Sequence, residues 1–266
     1  MTRGPFAVLF WKELLELSRN RGALIPVIIV AALVIVLPFG IVIGIPDMTG
    51  ELLSQDADLM RLTRTIGGPE GLSPEGQVQL FLFQQFLVLL LLMPATGAMA
   101  LAAHAIVGEK QARTLEPLLA TPIRTMELLV AKVLGALAPT LAISLVGVVL
   151  FGTGLGVFAE PGVLRAMINA RTLLLVLLVG PATALLSLQA AMIVSSRVND
   201  ARTAQQVGVL IVLPLTGLVV AQFMGLFWLS ARETAVLGLA ILGLWVIVAI
   251  ASAALFQREA ILTRWR

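Results

Sequence analysis

Phe86-Leu-Val-Leu-Leu-Leu-Leu92 is apolar at every position and lies inside a longer stretch, Gly76 to Gly108, that holds no Asp, Glu, Lys or Arg. A half-wet strand or a barrel strand would alternate apolar and polar residues in short segments, so an unbroken run of this kind reads as a helix immersed in hydrocarbon. Working outward, five further charge-free stretches occur: Gly22 to Pro46, Val133 to Ala159, Thr172 to Ser196, Thr203 to Ala231 and Thr234 to Gln257. The shortest has 24 residues. At about 1.5 Å of rise per residue it reaches roughly 36 Å, enough to cross a hydrocarbon core of about 30 Å with some tilt. The expectation is an all-α integral membrane protein, one domain over 1–266, with transmembrane helices at 22–46, 78–108, 128–152, 172–196, 204–228 and 234–257.

Composition supports this. Of 266 residues, 59% are hydrophobic and 12% charged, about half the charged share of ordinary globular domains. The formal excess is three positive charges, too small for a nucleic-acid-binding face. With no cysteine, disulfides, thiolate metal sites and cysteine nucleophiles are excluded. Lys12, Glu13 and Glu16 interrupt the amino-terminal residues, and the apolar stretch behind them is too long for the core of a cleavable signal, so the first span is expected to stay attached.

Placing the amino terminus, the second-to-third loop, the fourth-to-fifth loop and the carboxyl terminus on one side gives that side 13 of the 18 basic residues. Loops that retain Lys and Arg are cytoplasmic, so both termini are expected in the cytoplasm. Phe6, Leu9, Phe10, Leu14 and Leu17 recur at helical spacing, with Lys12, Glu13, Glu16 and Arg19 mostly around the other side. This predicts an amphipathic helix over 5–21 lying in the membrane interface, with Trp11 at headgroup level. On the opposite side, the segment Asp47 to Glu75 predicts a short surface helix. Ser73-Pro74-Glu75 then supplies a cap, a first-turn proline and an acid suited to a helix start.

Val107 to Lys132, with the sequence VGEKQARTLEPLLATPIRTMELLVAK, is the most distinctive segment and falls on the predicted cytoplasmic face. Thr114 can cap a short helix with Pro117 in its first turn, and Thr121-Pro122 ends it. Leu115, Leu118 and Leu119 beside Glu109, Lys110, Arg113 and Glu116 leave two readings open: a helix that fills a groove on a cytosolic partner, or a connection whose leucines pack back on the bundle.

Glu109-Lys110, Thr114-Leu115-Glu116, Leu118-Leu119-Ala120-Thr121-Pro122, Glu127-Leu128-Leu129 and Lys132 together resemble the E-K-x-x-G-T-L-E-x-L-L-x-T-P signature of type-2 ATP-binding-cassette (ABC-2) exporter permeases. Arg113 stands where that family commonly has glycine, and Ala131 where glycine commonly precedes the lysine. The resemblance implies a prokaryotic inner-membrane permease, working as a dimer of two copies and driven by two copies of a cytosolic ATPase that binds ATP and Mg. Segment 109–127 would be the coupling loop, with Leu115, Leu118 and Leu119 filling the ATPase groove, Glu109, Arg113 and Glu116 pairing at its rim, and Thr121 and Pro122 closing the motif. The chain has no G-x-x-x-x-G-K-[ST] loop, so the expectation is a permease without a catalytic site, cofactor or metal of its own.

Gln84, Gln85, His104, Gln189, Gln205, Gln206 and Gln222 are the polar groups expected at membrane depth, where such side chains mostly bond across helices. In the resembling family the substrate path runs between the second and fifth helices, which singles out Gln84, Gln85, Gln222 and Phe223. An ion-coupled secondary transporter is the alternative function, but the six runs hold no charge to bind the coupling ion. An intramembrane hydrolase is a more distant one, and neither G-x-S-x-G nor H-E-x-x-H occurs.

Overall fold

The computed structural model describes residues 5–66, 71–112, 125–197 and 228–255, with positions 203, 206, 213–214, 216–218 and 220–222 besides. The described residues are mostly helical, with no strand among them. Among the described residues five helical rods are long and apolar enough to cross a membrane: Arg21–Thr49, Pro74–His104, Val130–Phe158, Ala170–Ser195 and Ala231–Ser252. The span expected at 204–228 lies mostly outside the described residues.

In chain order, α1 (Pro5–Arg19) precedes α2 (Arg21–Phe39), which continues through a π-helical turn, Gly40–Gly44, into α3 (Ile45–Thr49). A surface helix, α4 (Ala57–Ile66), leads to α5 (Pro74–Phe86), a 3-10 turn at Leu87–Leu91, and α6 (Leu92–Ala112). The long α7 (Thr125–Phe158) is followed by the short α8 (Val163–Met167) and α9 (Ala170–Leu174). A π-helical turn at Leu175–Val179 joins α9 to α10 (Gly180–Arg197), and α11 (Ala231–Leu255) is the last described helix.

The helices start earlier than the charge-free runs because polar caps, rather than the loss of charge, begin them. Ser73 Oγ accepts from the Gly76 N–H at 3.0 Å, with Pro74 in the first turn. The Asn169 side chain accepts from Thr172 N–H at 3.0 Å, and the Asn20 side chain from Ala23 N–H at 3.2 Å. At α11, Ser230 and Glu233 cap each other reciprocally, Ser230 N–H donating to the carboxylate at 2.8 Å. Each satisfies N–H groups that the first turn leaves without helical partners. The Asn20 cap also separates α1 from the first span. Large apolar side chains left exposed on α1 are Val8, Trp11 and Leu15; Phe10 and Leu14, from the expected stripe, are half-buried on a helix that packs against α7.

Proline explains the three irregular turns. Its ring displaces the carbonyl four residues back and offers it no N–H. For Pro46, Pro94 and Pro181 that carbonyl belongs to Val42, Leu90 and Leu177, each inside one of the non-α turns. Pro26, Pro38 and Pro139 lie within regular helix.

The second span is the centre of the bundle: 83% of its most apolar window is buried, against 22% in the first and third spans and 11% in the last. Lipid tails are as apolar as leucine, so helices in a bilayer associate by close fit rather than by escape from water. Phe39, Phe83 and Phe151 join the first three spans, with ring centroids 5.2 to 6.0 Å apart. Glycines admit the neighbours: a Cβ on Gly154 would lie 2.5 Å from Phe39 Cζ, and one on Gly147 2.2 Å from Met93 Cε. The Gly152-Thr-Gly154-Leu-Gly156 run stays helical, and Gly154 serves as a seat for Phe39. At the other end, Ala23, Ala98, Ala102, Ala136, Ala184 and Ala191 keep helix axes close.

Gly154→Ala forces the Phe39 ring out of its cluster and is expected to lower stability by about 1–3 kcal/mol. Gly152→Ala, where a Cβ meets nothing within 4 Å, is expected to be neutral. Unfolding of both variants in mixed detergent checks the difference.

Candidate functional site

At the end of the bundle away from Asn20, the connecting segments are latched to the first turns of α5. The Glu75 carboxylate accepts from the backbone N–H groups of Leu53, at 3.2 Å, and Ser54, at 2.8 Å. One turn further, Gln79 Oε1 accepts from Glu160 N–H at 2.8 Å, which ties the segment after α7 to the same helix. Gly162 has φ +95°, and a Cβ there would be strained and would also meet Leu72 Cδ2 at 2.8 Å. These contacts fix the azimuth of α5 and so of the face that continues through Phe81 and Gln85, four residues apart and one above the other.

That face carries a seam of aromatic and polar groups. The Phe81 ring stacks on Trp228, centroids 5.9 Å apart with 14° between planes. The Arg171 guanidinium carbon lies 4.3 Å from the Trp228 ring centroid. Arg171 is only 7% exposed, and among the described residues Nε, Nη1 and Nη2 have no hydrogen-bond partner. A guanidinium over indole contributes about 2 kcal/mol when desolvated, less than the several kcal/mol that removing a cation from water costs. One turn along, Gln85 Nε2 donates to the Gln222 carbonyl at 3.3 Å. Both residues are buried, and among the described residues Gln85 Oε1 and both side-chain amide atoms of Gln222 have no partner.

Of the residues singled out from the sequence, Gln85 and Gln222 are thus in direct contact. Gln84 is half-buried on the same helix, and Phe223 lies outside the described residues. Glu109 to Ala112 belong to α6 and Thr125 to Glu127 to α7, so both ends of the segment 109–127 expected as a loop are helical. The longer helices follow from the absence of a breaker before Thr114: Glu109, Lys110, Gln111 and Ala112 are all strong helix formers. Arg113, Leu115, Glu116, Leu118, Leu119, Thr121 and Pro122 lie outside the described residues. Elsewhere Gln189 donates to the Ser252 hydroxyl across α10 and α11, and His104 is half-buried with its ring facing Gly22. Among the described residues no group of three His, Asp or Glu side chains could hold a metal.

Sequence reasoning missed Arg171 and Trp228. Arg171 borders the charge-free run that begins at Thr172, where a charge reads as loop, and Trp228 ends the span expected at 204–228 without any role read for it. The available signal was Asn169, whose capping places the helix start before Arg171 and carries the cation into the span.

Fold and seam define a polytopic α-helical membrane protein with polar groups facing one another inside the bundle. The family described as ABC-2 family transporter protein matches residues 7–260, nearly the whole chain. The chain belongs to that family and is a multi-pass membrane permease of the ABC-2 type. No curated protein and no solved structure matches it.

The two kinds of polar contact separate by mutation. Glu75→Ala leaves two backbone donors without their charged acceptor and is expected to lower stability by about 3 kcal/mol. Gln85→Leu removes one orphaned oxygen while freeing one carbonyl, and its expected change is within about 1 kcal/mol. Thermal unfolding in detergent, followed by tryptophan fluorescence, distinguishes them; equal losses would make the glutamine pair as structural as the carboxylate latch.

Proposed function

We propose that the chain is the membrane-embedded half of an ATP-driven exporter. Two copies form the translocating unit, and two copies of a separate cytosolic ATPase, holding ATP and Mg, drive it. The complete fold in this reading has six spans, the fifth at 204–228. Both termini face the cytoplasm of a prokaryotic-type inner membrane, and α1 lies in the interface with Val8, Trp11 and Leu15 toward lipid.

Segment 109–122 is the coupling element: Leu115, Leu118 and Leu119 enter the ATPase groove, Glu109, Arg113 and Glu116 pair around it, and Thr121 and Pro122 terminate the prong. The substrate path runs along Gln84, Gln85, Gln222 and Phe223. The observation that carries the energy source is the family match across residues 7–260. The path is supported by the contact of Gln85 with Gln222 and by the unbonded amide atoms beside it. Buried polar atoms without partners are rare, and they are rarer still where lipid surrounds the bundle. Catalysis of ATP hydrolysis belongs to the partner.

Leu118→Asp places a charge in an apolar groove and is expected to weaken ATPase binding by more than about a hundredfold. Copurification disappears, and ATP turnover by the mixture falls to the rate of the ATPase alone. Retention of both removes segment 109–122 from the interface.

A further inference from the structure

Arg171 is a buried cation with no counter-charge among the described residues. The Glu75 carboxylate is occupied by the Leu53 and Ser54 amides, and that of Glu233 by Ser230. None of the three guanidinium nitrogens has a hydrogen-bond partner among the described residues. Its platform, by contrast, is complete: Trp228 lies beneath the guanidinium, and Phe81 is stacked in near-parallel on Trp228. A guanidinium fixed on a ring keeps its forked donors for a planar or tetrahedral oxyanion, the geometry at which arginine excels over lysine.

What lies beyond the cation specifies the rest of the ligand. One turn deeper, Gln85 and Gln222 leave a carbonyl oxygen and a whole amide unbonded. Also one turn along from Arg171, on its own helix, Leu175 begins an apolar groove of about 210 Å³. Leu87, Leu90 and Leu91 of the 3-10 turn form one wall, and Leu175, Val176 and Leu177 of the π turn another. The buried cation, the unbonded amides and the apolar groove thus lie on successive turns from the end of the bundle inward, the groove's lining starting at Leu87 and Leu175.

We propose that Arg171 receives the oxyanion head, phosphate or carboxylate, of an amphiphile whose alkyl chain lies in the groove beginning at Leu175. The proposal rests on the permease reading and gives its substrate class: an anionic amphiphile, in contrast to a cation, a sugar or a small soluble anion. Such a head can belong to a bilayer lipid or to a single-chain molecule dispersed in water.

The test uses the purified full-length chain in a neutral maltoside detergent and follows its unfolding temperature. Lysophosphatidate is expected to raise it saturably, because a ligand that binds the folded state alone stabilises it. Lysophosphatidylcholine with the same chain, inorganic phosphate and glycerol 3-phosphate are expected to leave it unchanged. Arg171→Gln weakens the response by about ten- to a hundredfold in concentration, as loss of a charge-assisted pair implies, and Arg171→Lys retains part of it.

An equal response to the zwitterion, to phosphate alone or in Arg171→Gln, or no response to lysophosphatidate, overturns the proposal. The headgroup series on the unaltered chain decides the matter even if Arg171→Gln does not fold. Nanodiscs assign the source: a rise when phosphatidylglycerol replaces phosphatidylcholine identifies a bilayer lipid, and a rise with lysophosphatidate alone a dispersed one. Stimulation of the ATPase, abolished by Leu118→Asp, is measured separately. Its failure with anion binding intact defeats the permease reading alone, and the converse defeats the amphiphile alone.

Discussion

Close approach to the second span is the constraint on which the rest of the fold depends. In a bilayer no water drives helices together, so an interface persists only where backbones come near enough for dispersion contacts to accumulate. Gly154 under Phe39, Gly147 under Met93 and Gly97 against Val27 and Thr140 are such places, and all of them bring the first or third span toward, or into the aromatic cluster around, the second. The outer helices then give their remaining faces to lipid. Ile28, Leu33, Val149 and Ile247 would be a liability in water and are solvent-matched here.

Because the second span is shielded, it is also where polar groups are least exposed to hydrocarbon. Phe81 and Gln85 lie on a helix whose azimuth is set by Glu75 and Gln79 holding the flanking segments. The latch at the polar end and the seam one or two turns deeper are therefore one construction. The carboxylate of Glu75 gives up solvation for two amide donors, whereas Arg171, nearby in the bundle, has only an aromatic face. Glu75 is thus a satisfied charge and Arg171, among the described residues, an unsatisfied one.

The sequence made the spans legible because twenty or more residues without a charge have few other physical solutions. Ser73-Pro74-Glu75 was readable as a helix start, since capping depends on neighbours a few residues away. Centrality was not readable: the second and third spans are similarly apolar, and only tertiary packing makes one buried and the other peripheral. The role of Glu75 escaped for the same reason, its amide partners lying more than twenty residues back. Gln85 and Gln222 were singled out through family resemblance rather than through any local pattern. Arg171 was hidden by counting charges as boundaries, a rule that fails when a polar cap starts the helix first.

The proline-linked turns alter the angular bookkeeping of the spans. A 3-10 turn advances about 120° per residue against 100° in an α-helix, so five such residues at Leu87–Leu91 shift the phase of the second span by roughly 100°. Phe81 and Gln85 therefore do not continue down a single stripe into α6. The Pro74 end and the Ala112 end present unrelated compass bearings, and each meets its own set of neighbours: aromatic and amide partners at one, alanine-lined helices at the other.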